Sequence, residues 1–110
     1  RGTVFGYNNL VCDMRSIPII RGLGYPVFVD ITHIVRMPGP PSADVSGKSG
    51  QPEFIPALAN AAVAVGCDGL FLEIHPAPEK ALCDAASMLH MNNFEPILKQ
   101  IYEISKLIRK

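Results

Sequence analysis

Two periodicities of apolar residues alternate along this chain. From Asn9 to Arg21, Leu10, Val11, Met14, Ile17 and Ile20 recur at three- and four-residue steps, the spacing of a helix. Asn8 or Asn9 is placed to cap that helix. Pro18 removes a hydrogen bond at Met14 and is placed to end or bend it, and Gly22 and Gly24 terminate it. The β-branched, nearly continuous apolar run from Pro26 to Ile31 predicts a strand buried on both faces, the kind found in parallel sheets covered by helices. Pro52, Glu53 and Phe54 open a second helix that continues through Ala57, Leu58, Ala61, Ala62 and Val65 to Gly66. A second buried strand is predicted from Gly69 to Ile74. The last helix, from Asn92 to about Arg109, carries an apolar stripe of Phe94, Ile97, Leu98, Ile101, Ile104 and Ile108.

Two segments carry no period. Residues 2–9 are polar and rich in Gly and Asn, which predicts a loop. Residues 37–51 hold three prolines, three glycines and three serines. Connections are usually about 4–6 residues long, and longer ones tend to act as lids or binding loops. The predicted order is helix–strand–helix–strand–helix, which implies an α/β fold with a parallel sheet. Two strands leave unpaired edges, so the pattern reads as part of a larger fold. The opening Arg1-Gly2-Thr3, without an initiator Met, carries the same expectation.

Composition narrows the function classes. The 110 residues suit one small domain, and 48% apolar content is ordinary for a globular protein. Ten basic residues balance ten acidic ones, so no basic field exists to draw nucleic acid or an anionic membrane as a partner. No apolar run reaches the roughly 18 residues that a spanning helix needs. Cys12, Cys67 and Cys83 are few, odd in number and widely spaced, which fits neither a disulfide framework nor a structural zinc site. A reducing cytoplasm is the expected compartment.

The polar residues that carry chemistry fall at the strand ends. The first strand runs into Asp30-Ile31-Thr32-His33 and the second into Glu73-Ile74-His75-Pro76. Catalytic groups gather at the C-terminal ends of parallel strands. His33 and Glu73 are therefore candidates for general acid–base work or for holding a first-row divalent ion, and Asp84, in the following loop, is placed to converge on them. Taken singly, a His or Glu at a strand end is more often a cap or a surface group. Both strands ending in this way is the stronger observation. His75 reads as a supporting residue, His90 as solvent-exposed, and Asp13 and Asp68 as cap or solvent groups. Arg1 is a candidate anion binder through its bidentate fork. Gly47-Lys48-Ser49-Gly50 lacks the spacing of a phosphate-binding loop.

Four stretches together resemble the 3-deoxy-D-manno-octulosonate-8-phosphate synthase family. They are Arg1-Gly2-Thr3-Val4-Phe5-Gly6-Tyr7-Asn8-Asn9-Leu10, Asp13-Met14-Arg15-Ser16, Asp30-Ile31-Thr32-His33 and Gly69-Leu70-Phe71-Leu72-Glu73-Ile74-His75-Pro76. The resemblance spans essentially the whole chain, in order and at natural spacing. It implies a (β/α)8 barrel that condenses phosphoenolpyruvate with D-arabinose 5-phosphate, releases phosphate and feeds lipopolysaccharide synthesis. On that template residues 1–110 are the C-terminal part of a single catalytic barrel domain, from the end of strand six through helix eight, with residues 37–51 as its lid. A barrel of this type has roughly 250 residues, so the 110 residues alone are expected to be inactive. The family's phosphoenolpyruvate-holding lysines and the remaining residue of its metal position are expected elsewhere.

Residue by residue, the resemblance implies that Arg1 contacts the phosphate of phosphoenolpyruvate. It gives His33 a catalytic and substrate-binding role, shared in some members with a metal, and makes Glu73 and Asp84 the carboxylates of that metal site. Ala81-Leu82-Cys83-Asp84-Ala85-Ala86-Ser87 is closer to the metal-dependent members, because the metal-independent ones usually carry Asp-Gly-Pro. A divalent ion is thus an expected cofactor and a homotetramer the expected assembly. The lid departs from the pattern: Arg36 replaces a glutamine, Pro40 a glycine, and Pro52 the arginine before Glu-Phe. Related heptulosonate or sialic acid synthases, and a non-catalytic barrel remnant, are the competing readings.

Overall fold

The computed structural model describes residues 2–3, 10–38 and 49–108. Its first elements correct the expected opening. Strand β1 (Gly2–Thr3) pairs antiparallel with β2 (Leu10–Val11), so Leu10 and Val11 belong to a ladder and not to a helix. Asp13 explains why the helix starts late. Its Oδ1 accepts the Arg15 N–H at 3.0 Å, and its carbonyl accepts the Ser16 N–H at 3.0 Å and the Ser16 hydroxyl at 2.7 Å. Such a local turn competes with helix. Helix α1 is only Ser16–Arg21. Pro18 consequently lies in its first turn, where a missing N–H costs nothing, and does not bend it. Gly22 keeps an ordinary right-handed φ of −59°, and it is Gly24 that takes the left-handed conformation, at φ 90°. The expected Asn8 or Asn9 cap and most of the predicted loop at residues 2–9 lie outside the described residues.

Strand β3 (Phe28–Asp30) pairs in parallel with β4 (Gly69–Phe71), Phe28 opposite Gly69 and Asp30 opposite Phe71. The parallel pairing is as the pattern predicts. Burial on both faces is not: Val27, Val29 and Ile31 are buried, whereas Phe28 is 69% exposed and Phe71 48%. Among the described residues, helices cover one face only. The second strand also ends earlier than expected. After β4 the chain changes partner, and β5 (Ile74–His75) pairs in parallel with β6 (Leu89–His90), a strand that no alternation in the sequence announces. The switch is visible in the hydrogen bonds. The Phe71 carbonyl accepts from Ile31 N–H at 2.9 Å, whereas the Glu73 carbonyl accepts from Leu89 N–H at 3.1 Å.

The two later helices follow the sequence closely. A 3-10 turn at Pro52–Phe54 leads into α2 (Ile55–Val65), which ends at Gly66 with φ 93°, a conformation that L side chains rarely adopt. A second 3-10 turn at Met91–Asn93 leads into α3 (Phe94–Ile108). Ile55, Ala59 and Ala62 of α2 and Ile97 of α3 share one buried cluster with Val27, Val29 and Ile31, and Phe94 and Ile101 pack against it. Leu98 and Ile108 of the expected stripe are 46% exposed. The outer face of α3 carries the ion pairs Lys99–Glu95 and Lys106–Glu103, both at 2.7 Å. No helix among the described residues is long and apolar enough to cross a membrane.

The long loop is pinned at its base. Arg36 and Gly50 form an antiparallel bridge, Met37 N–H donates to the Ser49 carbonyl at 2.7 Å, and Gln51 N–H donates to the Val35 carbonyl at 2.9 Å. Gly50 lies so close to the backbone of Ala86 that any side chain there would collide with it. Residues 39–48, including Pro40, lie outside the described residues.

Candidate metal and catalytic site

The site is built on the C-terminal ends of β3 and β4. Asp30 closes β3, and the chain then turns through Thr32 into a 3-10 turn at His33–Val35. Asp30 holds that turn twice: its Oδ1 accepts the His33 backbone N–H at 2.9 Å, and its Oδ2 lies 2.7 Å from His33 Nδ1. Because a carboxylate only accepts, this contact puts the ring proton on Nδ1 and turns Nε2 toward the other acids. Nε2 stands 3.6 Å from Asp84 Oδ1 and 3.9 Å from Glu73 Oε1. The imidazole also stacks beside Phe71, with ring centroids 6.4 Å apart.

Glu73 is fixed by the neighbouring strand end. Thr32 is fully buried, and its hydroxyl accepts the Glu73 N–H at 2.7 Å across 41 residues of sequence. Asp84 arrives on a turn of unusual backbone. Its φ of 52° is left-handed, a region that Asp tolerates better than most residues. Buried Ser87 stabilises the turn by donating its backbone N–H to the Asp84 carbonyl at 3.0 Å. On the outer side, Arg36 Nη1 lies 2.6 Å from Asp84 Oδ1. The exposed Cys83 thiol is held above its ordinary pKa, first by its hydrogen bond to Asp84 and then by desolvation and the nearby negative charges.

His33, Glu73 and Asp84 each offer one ligand atom, and the three atoms lie within 4.8 Å of one another. One imidazole nitrogen and two carboxylate oxygens suit a first-row divalent ion. A histidine whose far nitrogen is held by a carboxylate is the usual arrangement of a metal-binding imidazole. The donor set therefore fits a metal, and the structure brings together the three residues that the strand ends suggested. Arg1 lies outside the described residues. His75 and His90 do not join the cluster. His75 Nδ1 accepts from Ala77 N–H at 2.9 Å, and His90, half-buried in β6 where the sequence suggested solvent exposure, accepts from Asn92 N–H at 3.1 Å. Asp68 stays outside the cluster, but as a tertiary tie rather than a cap or a solvent group: it accepts from Val27 N–H at 2.8 Å, across 41 residues, and pairs with Arg21 at 3.1 Å. Sequence reasoning gave no role in the site to Asp30 or Thr32. For Asp30 the three-residue spacing to His33 was the available signal.

A family model described as the DAHP synthetase I family matches residues 1–110. The chain belongs to that family. Among curated members, the 2-dehydro-3-deoxyphosphooctonate aldolase of Syntrophotalea carbinolica is 50% identical over 109 residues, covering 99% of this chain and 38% of the relative. The protein of the same name from Geobacter sulfurreducens is 46% identical, covering 99% of this chain and 39% of the relative. That from a Cyanothece strain is 52% identical over 104 residues, with 94% and 37% covered. The chain thus spans less than two fifths of the length of these relatives. Among solved structures, a truncated form of 3-deoxy-D-arabino-heptulosonate 7-phosphate synthase from Thermotoga maritima superposes with a TM-score of 0.76 at 28% identity, covering 98% of this chain and 37% of the other. The mixed α/β fold is therefore that of the DAHP synthetase I family.

Proposed function

We propose that these residues are the last part, from the end of strand six through helix eight, of a (β/α)8 barrel synthase that joins phosphoenolpyruvate to D-arabinose 5-phosphate. The products are 3-deoxy-D-manno-octulosonate 8-phosphate and inorganic phosphate, for lipopolysaccharide synthesis. The observation that carries the reading is the convergence of His33, Glu73 and Asp84 at the C-terminal ends of a parallel strand pair, where barrel enzymes keep their chemistry. Identities of 46–52% to proteins named 2-dehydro-3-deoxyphosphooctonate aldolase support the choice of substrates. Residues 37–51 form the lid in this reading, and the working enzyme is a cytoplasmic homotetramer.

The reaction requires C3 of the enol phosphate to attack the aldehyde carbon and water to add at C2. Arg1 holds the phosphate of phosphoenolpyruvate. Asp30 keeps the His33 ring in one orientation, so that Nε2 faces the reacting groups. His33, Glu73 and Asp84 would hold a divalent ion together with the remaining ligand expected elsewhere, and the ion when bound would supply Lewis acidity toward the aldehyde oxygen. Thr32 fixes the Glu73 backbone, and with it the carboxylate.

The test is phosphate release by the full chain that carries these residues, with phosphoenolpyruvate and, in turn, arabinose 5-phosphate, erythrose 4-phosphate and N-acetylmannosamine. Turnover is expected with arabinose 5-phosphate, and His33→Ala is expected to reduce it about 100-fold or more. Preferential turnover with erythrose 4-phosphate would instead favour a heptulosonate synthase, the reading that the 28% identical Thermotoga structure supports. The isolated 110 residues are expected to show no turnover with any acceptor, because a barrel of roughly 250 residues holds its substrates with all its strand ends.

A further inference from the structure

Among the described residues, Arg36 is the departure from the family pattern that reaches the acid cluster. Its Nη1 lies 2.6 Å from Asp84 Oδ1, and the same oxygen stands 3.6 Å from His33 Nε2. The guanidinium therefore sits on the Asp84 oxygen that faces His33 Nε2. Both side chains are substantially shielded from water, 30% exposed for Arg36 and 17% for Asp84, so solvent weakens their attraction less than it would at the surface. The backbone that delivers the charge is anchored. Arg36 ends the same turn that presents His33, with its N–H donating to the His33 carbonyl at 3.3 Å, and it bridges to Gly50 at the base of the long loop.

We infer that Arg36 is a built-in counter-cation for Asp84 that competes with the divalent ion, so that metal enters only as the guanidinium leaves Oδ1. This rests on the metal site proposed above. Two consequences follow from the charge arithmetic. Without metal, Arg36 offsets one of the three carboxylates gathered around His33 and holds Asp84 in its left-handed turn, so the site stays assembled. With metal, breaking a charge-assisted hydrogen bond subtracts from the affinity that the same three ligands would otherwise show. Arg36 thereby sets the metal affinity of the site without being a ligand.

The experiment is a calorimetric titration of the metal-stripped full chain with Mn²⁺ alone, for the parent, Arg36→Gln, Arg36→Lys and His33→Ala, with the fold of each checked by circular dichroism. Arg36→Gln is expected to bind Mn²⁺ roughly tenfold more tightly than the parent, the change that losing one charged hydrogen bond implies. Arg36→Lys keeps the charge but loses the planar fork and is expected to gain less. His33→Ala is expected to lose binding. Should Arg36→Gln bind Mn²⁺ no more tightly than the parent while His33→Ala still abolishes binding, the competition is wrong and the metal site stands. If His33→Ala binds as the parent does, the metal site itself is wrong and the inference falls with it. Should Arg36→Gln fail to fold, Arg36→Met, which also removes the charge, decides, and an affinity equal to that of the parent refutes the competition.

Discussion

The helical layer and the strand ends are made by different kinds of interaction. In α2 and α3, residues close in sequence share a face, and Ala59, Ala62 and Ile97 meet in the core through repeats of three and four. At the strand ends, local bonds such as those of Asp30 to His33 and of Ser87 to Asp84 shape single turns, and the contacts that assemble the site are long-range. Thr32 meets Glu73 across 41 residues and Arg36 meets Asp84 across 48. The helical layer is apolar and redundant, whereas the strand ends are polar, and each group there holds one particular neighbour. Damage to the first should therefore appear as lost stability, and damage to the second as lost function in a protein that still folds.

The sharpest way to break this contrast is a cavity in the core. Ile55 is fully buried where α2 begins, and Ile55→Ala is expected to cost about 2–5 kcal/mol in chemical denaturation of the full chain, through lost burial and the space left behind. A cost under about 1 kcal/mol would mean that the helical layer is not where stability resides. Asp30→Asn probes the other region. With its carboxylate gone, the hold on His33 Nδ1 weakens, and metal affinity is expected to fall about 10–100-fold with a denaturation midpoint close to the parent's. A midpoint loss rivalling that of Ile55→Ala, with metal affinity unchanged, would erase the distinction between the regions.

The smallest effect is expected at Asp13, on the surface turn before α1. The Arg15 side chain, and then the Arg15 backbone N–H, donate to its carboxylate and lower its pKa from 3.8 to about 2. A pKa depressed on folding stabilises the folded state above the unfolded value and loses that contribution as the carboxylate is protonated. The parent should therefore exceed Asp13→Asn in stability above pH 3.8, by a margin that shrinks as the pH falls toward about 2. Parallel stability curves for the two proteins across that window would show that the turn contributes nothing through its charge.

Departures from the sequence pattern cluster where neighbours far along the chain intervene. Leu10 and Val11 have helical spacing to Met14, yet pairing with Gly2 and Thr3 and the Asp13 turn draw them into a strand. The run from Gly69 to Ile74 reads as one strand because Leu70, Phe71, Leu72 and Ile74 make it apolar apart from Glu73. The chain nonetheless changes partner within it, and hydropathy carries no record of which strand a backbone amide will find. Leu89–His90 is too short to show alternation at all.

What the residues determined by themselves is the α/β class, the two long helices, the parallel strand pair and the placing of His33 and Glu73 at strand ends. Each of these depends on periodicity or on spacing within a few residues, and local sterics and burial translate such patterns directly into structure. Tertiary structure alone decided that Asp84 turns left-handed beside His33, that Thr32 holds Glu73, and that the guanidinium of Arg36 lies on the Asp84 oxygen facing His33 Nε2. Those contacts join segments more than forty residues apart, and only the packing of β3 against β4, under a shared helical layer, brings such segments within hydrogen-bonding distance.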